Sequence, residues 1–208
     1  MTEYDHNLKT FKDLIDQYTI ADLKSMIYDI QVKDSGACCY PAIQTLISLM
    51  EMLGKLLKNK EGEEAIRVIL EEMGPKYQIS KLENILYLLF RHGIAHNSLA
   101  KGGVAVKKDG DTTFHLSSNG HNIDVKIFFE DFKFVYDQLF KTKLLDQKYL
   151  SFYEDNLKSI LKELKTKWLD FNINSFVVNP NFSTTTTSSG IYPSGVSGMR
   201  GPKNSHTP

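Results

Sequence analysis

Between positions 86 and 103 the chain reads LYLLFRHGIAHNSLAKGG, an apolar run that ends in Arg91, His92 and His96. Histidine moves protons near neutral pH, and a permanently charged guanidinium grips a phosphate in a forked contact. Arg91 and His96 together therefore suit phosphodiester chemistry that needs no metal, with His96 in proton transfer and Arg91 on the phosphate. Two other accounts compete. His92 and His96 are four residues apart, the spacing of two metal ligands on one helical face, but the glutamate of HExxH is missing. No third ligand is evident, although His115 and His121 follow in the next segment. Basic side chains at a helix C-terminus also complement its dipole and need no further role.

Convergence of the pair depends on the element that carries it. Five residues on an ideal α-helix separate two side chains by roughly 140°, so a straight helix does not aim Arg91 and His96 at one point. Either a bend at Gly93 or a second copy of the chain is required. The supporting elements upstream are helical. TIADLKSMIYDIQVK places Ile20, Leu23, Met26, Ile27 and Ile30 on one stripe. YPAIQTLISLMEMLGKLLKN is more continuously apolar and reads as a central helix with Pro41 in its first turn. EEAIRVILEEM forms a third helix closed by Gly74-Pro75, and Ser80 is the expected cap of the helix that ends at Arg91.

After that helix the apolar period shortens to two. GVAVKK, TTFHLS and NIDVKIF predict short strands, with DGD and NGH as the expected hairpin turns. FFEDFKFVYDQLFKTKLL and YLSFYEDNLKSILKELKTKWL return to helical spacing.

With 25 basic and 25 acidic side chains in 208 residues, no global field draws in nucleic acid, so any such contact has to be local. No run reaches the roughly 18 apolar residues of a membrane span, which predicts a soluble, cytoplasmic protein with no membrane partner. Cys38 and Cys39 are adjacent and have no partner elsewhere, which suits a reducing compartment and a buried structural role. From Asn172 to Pro208 there is no acidic residue, and four of the six prolines fall there beside STTTTSSG. The expected organisation is a helical domain over 1–171 and a disordered tail over 172–208, with Phe176, Val177, Val178 and Phe182 able to dock its first part.

FRHGIAH resembles the signature of HEPN domains, an arginine near a helix end, a polar follower and a histidine four to six residues on. Arg91, His92 and His96 match these in turn, at the shortest spacing. LAKGG with its following strands, and the earlier YPAIQTLISLMEMLGKLL, also look like segments of bacterial HEPN-like proteins, so the resemblance covers about residues 8–170. It implies an all-α bundle of four to five helices, here with a small β-hairpin insertion after the motif helix and a disordered C-terminal tail. It further implies a homodimer that brings two motifs together, and in many members metal-independent RNA cleavage without a cofactor. The toxins paired with nucleotidyltransferase antitoxins often carry tyrosine two residues after the histidine, where this chain has Ser98; an antitoxin or other protein partner is nonetheless among the expected contacts. The alternative is a catalytically silent module that binds a protein or a nucleotide.

HEPN bundles often set an acidic residue of an earlier helix beside the motif arginine. Glu51, inside the apolar run LISLMEMLG, is the candidate, since an ionised carboxylate there is costly without a partner. The alternative is that Glu51 faces solvent. Asn97 and Lys101 are candidates for phosphate or base contacts, against a plain role as solvated loop residues.

Overall fold

A capping box starts the first helix: the Asp5 amide donates to the Thr2 hydroxyl at 3.1 Å, and the Thr2 amide donates to the Asp5 carboxylate at 2.8 Å. The structure is a computed structural model that describes residues 2–31, 37–92, 104–108, 110, 113–117 and 120–170. All packing reported below belongs to the unit Met1–Trp168.

Helix α1 (Glu3–Leu14) continues without a break through a π-helical stretch (Ile15–Ile20), α2 (Ala21–Lys24) and a second π stretch (Ser25–Asp29). Of the predicted stripe, Ile20, Leu23 and Ile27 are buried and Met26 is partly buried. Ile30 is 38% exposed, because its backbone has already turned extended and left the helical face.

Helix α3 (Cys39–Lys58) is the central element, and Ile43, Leu46, Ile47, Met50, Leu53 and Leu56 along it are wholly buried. Cys39 is buried, its thiol 3.8 Å from the Ala37 carbonyl oxygen, and Cys38 is half-buried. Helix α4 (Gly62–Met73) packs along α3 and stops at Gly74, whose φ of +97° suits a residue without Cβ.

The motif helix departs from expectation at its start. Ser80 does not cap it; Lys81 stands at the N-cap in the left-handed region, and no side chain caps the first turn. One α turn (α5, Leu82–Asn84) then widens into a π-helix over Ile85–His92. Leu82, Leu86 and Phe90 are buried, spaced by four, whereas Leu88 is 41% exposed. The run is therefore apolar on both its core face and part of its outer face.

Three strands follow, β1 (Val104–Lys107), β2 (Phe114–Ser117) and β3 (Gly120–Asp124), in the order β1-β3-β2. β2 and β3 pair antiparallel, with Phe114 opposite Ile123, but Gly120 and His121 of NGH belong to β3, opposite Ser117 and Leu116, rather than to a turn. β1 pairs parallel with β3, Val106 opposite Ile123, so β1 and β2 are not the adjacent strands of a hairpin; Asp109 and Asp111 of DGD lie outside the described residues. Lys108 and Gly110, after β1, are each anchored by hydrogen bonds. The buried Lys108 ammonium donates to the carbonyls of Met26, Ile27 and Ile30 at the end of the second π stretch, three donors meeting three acceptors. Two residues on, the Gly110 amide donates to Asp124 at 2.5 Å.

The same Asp124 carboxylate caps α6 (Val125–Lys141), accepting from the Lys126 and Ile127 amides at 3.1 Å each. Helix α7 (Leu150–Asp170) closes the core with Tyr153, Leu157 and Ile160. Buried Asn156 donates to the Leu56 carbonyl at 2.9 Å and ties α7 to the end of α3. The described chain is mostly helical, and no helix in it is long and apolar enough to cross a membrane. The predicted tail over 172–208, with Phe176, Val177, Val178 and Phe182, lies outside the described residues.

Three buried tyrosines make the fold sensitive to alkali. Burial, reinforced by hydrogen bonds to Asp131 and Asp16, raises the hydroxyl pKa values of Tyr77 and Tyr136 above the ordinary 10.0, and burial does the same for Tyr4. The unfolded chain loses these protons more readily, so their contribution to stability is complete below about pH 10 and falls as pH rises beyond it. In an alkaline titration, Tyr4, Tyr77 and Tyr136 are expected to ionise only as helical circular dichroism disappears, with Tyr153, also buried and raised by burial, titrating above the exposed tyrosines. Full phenolate absorbance with the helices intact would contradict their burial.

Candidate functional site

Glu51 and Arg91, forty residues apart, meet where α3 crosses the motif helix. Arg91 Nε lies 2.6 Å from Glu51 Oε2, and both atoms are sealed from solvent. The contact is an ion pair whose angle departs from that of a hydrogen bond. Glu51 thus sits beside Arg91, and its side chain is 23% exposed, enough water to lower the desolvation cost of the charge.

The other carboxylate oxygen has its own donor. Glu51 Oε1 accepts the Gly62 amide at 3.2 Å, at the first turn of α4. An acidic group is favoured at that helix end. Gly62 has φ +56°, and a Cβ there would lie 3.5 Å from the Tyr87 ring. The Tyr87 ring in turn lies 5.9 Å from the Arg91 guanidinium carbon, within cation–π range. Glu51 and Tyr87 thus flank the guanidinium from two sides.

Arg91 is 31% exposed although its Nε is sealed, so the exposed part of the group is elsewhere. It borders a cleft of about 500 Å³, lined further by Ser48, Glu51, Met52, Lys55, Ile160 and Leu164, with Lys60, Glu61 and Glu163 at the charged positions. Lys55 Nζ touches Glu61 at 2.8 Å and Glu163 at 3.0 Å, and these contacts, Glu61 first, hold its ammonium pKa above the ordinary value. Lys60 pairs with Glu64 at 2.8 Å. Each cation of the cleft thus has a carboxylate, and the cleft carries no strong net field.

The remaining candidates divide. His92 is exposed, with its ring 6.2 Å from Tyr87, and takes no part in the Glu51 contact. His96, Asn97 and Lys101 lie outside the described residues, as does Gly93. Among the described residues no group of three or more His, Cys, Asp or Glu could hold a metal ion. Comparison with family models, with curated proteins and with solved structures returns no match.

Lys55 and the cleft around it escaped the sequence reading. Its spacing of four from Glu51 put both on one face of α3, a legible signal. Glu163 carried none, because only the packing of α7 beside α3 brings it to Lys55.

Proposed function

We propose that the chain is a HEPN-like endoribonuclease that cleaves RNA without a metal, using Arg91 and His96 at the interface of a homodimer. The observation that carries this reading is the held guanidinium: Glu51 occupies Arg91 on the Nε side, and the partly exposed group borders an open cleft. A guanidinium kept in one orientation suits transition-state charge better than a free one, because it needs no reorganisation as charge develops. Leu88 on the motif helix and Leu164 at the cleft, 41% and 54% exposed, provide apolar surface for a second copy.

In the reaction, the RNA 2′-hydroxyl gives up its proton and its oxygen attacks the adjacent phosphorus. The bond from phosphorus to the 5′-oxygen breaks, and that oxygen takes up a proton. The products are a 2′,3′-cyclic phosphate and a 5′-hydroxyl. His96 serves in proton transfer, and Arg91 carries the charge of the phosphorane-like transition state.

The charge balance of the cleft favours the second reading, a silent module that binds a protein or a nucleotide. Purified protein on mixed RNA separates the two. Cleavage is expected to persist in EDTA, to leave cyclic phosphate ends and to stop when the scissile 2′-hydroxyl is replaced by hydrogen. Light scattering should give about twice the 23.7 kDa chain mass. Intact RNA across a broad substrate panel would leave the binding module.

A further inference from the structure

We propose that Lys55 is a second phosphate contact in the Arg91 cleft, covered by two carboxylates that a strand of RNA displaces. The inference rests on the RNA reading above and adds to it a basis for preferring a polymer over a single phosphate. Glu51 and Lys55 are one helical turn apart on α3, about 6 Å along the axis. Arg91 is docked on Glu51, so the guanidinium and the ammonium are neighbours on the same cleft wall. Successive phosphates of a single strand can meet both.

The carboxylates around these cations are not equally held. Glu51 is tied to the Gly62 amide and to Arg91, and is 23% exposed. Glu61 and Glu163, the partners of Lys55, are 75% and 43% exposed. Exposed ion pairs are weak, and their carboxylates can return to water at low cost. An incoming strand therefore frees Lys55 by moving Glu61 and Glu163 aside, while Glu51 stays and keeps Arg91 oriented. A lone phosphate competes with these carboxylates through a single contact. A strand competes through several at once, and each further contact forms at high effective concentration.

A merely structural Lys55 would be a strap between the α3–α4 turn and α7. The two roles give opposite signs when its acidic partners are removed. With an uncleavable 2′-O-methyl RNA oligomer as probe and the full chain, Glu61→Gln with Glu163→Gln should tighten binding on the order of tenfold, since two weak pairs no longer compete. Lys55→Ala should weaken binding and make the dependence of log Kd on log salt shallower by about 0.7, the loss of one single-strand phosphate contact. Both variants are checked by circular dichroism. Unchanged or weaker binding by the double glutamine variant would leave Lys55 a strap and overturn the inference. If Arg91→Ala weakens binding while the Lys55 and glutamine variants do not, this inference alone fails. If neither the wild type nor the double glutamine variant binds the oligomer, the RNA reading fails with it.

Discussion

Arg91→Ala is expected to lower RNA cleavage by roughly 10²–10³-fold, the scale of losing one preorganised donor to transition-state charge. His96→Ala should cost roughly 10²–10⁴-fold as the loss of a positioned proton-transfer group. His92→Ala should be milder, because His92 is exposed and outside the Glu51 contact.

Arg91→Ala carries a second consequence that needs its own control. It leaves Glu51 Oε2, an atom sealed from solvent, without its counter-charge. Part of any lost activity would then reflect a disturbed α3 rather than a missing phosphate contact. Arg91→Ala combined with Glu51→Gln removes that charge, so the double variant should recover melting temperature without recovering cleavage. A double variant that regains activity would show that the guanidinium acts by packing, and the phosphate role would be abandoned.

The largest expected effect on folding lies within one turn of Glu51 on α3. Gly54→Ala should destabilise the chain by about 3 kcal/mol or more, at the upper end of the range for overpacked cores. A Cβ at Gly54 would stand 2.1 Å from the Ala65 carbonyl oxygen and 2.7 Å from Ala65 Cα. These are backbone atoms of α4, so no side chain can rotate away and the helices must separate. Alanine's better helix propensity returns only about 1 kcal/mol. A melting temperature lower by roughly 6–12 °C is the expected readout for a domain of this size. Separation would also draw Gly62 away from Glu51, so residual activity should fall at temperatures where the variant is still folded. An unchanged melting temperature would mean that α3 and α4 do not approach this closely.

Some of the site could be read before any coordinates. Ile20, Leu23 and Ile27 repeat with the helical period, and periodicity is a local property because backbone sterics act over a few residues. Gly74 before Pro75 ended α4 for the same reason, since a residue without Cβ accepts φ +97°. Glu51 was legible in part. A charge inside an apolar run has to find water or a partner, and Arg91 was the candidate that the motif suggested.

What stayed hidden depends on which elements lie side by side. Ser80 looked like a cap, but Lys81 in the left-handed region took the position, and nothing in the residue types marks the π turns that follow. The pairing of β1 with β3 instead of β2, and the reach of Lys108 to carbonyls some eighty residues earlier, join segments that no local pattern relates. Lys55 sits between Glu61 and Glu163, and the distance along the chain to Glu163 is more than a hundred residues. By itself the sequence determined the helical segments, the glycine stop after α4 and the carboxylate that would need a partner, because each follows from sterics and hydration within a turn or two. Only the tertiary structure decided that Arg91 is held from the Nε side, that the cleft's cations are all paired, and that α3, the α3–α4 connection, the motif helix and α7 supply the walls, because ion pairing across elements is set by their packing and not by their spacing in the chain.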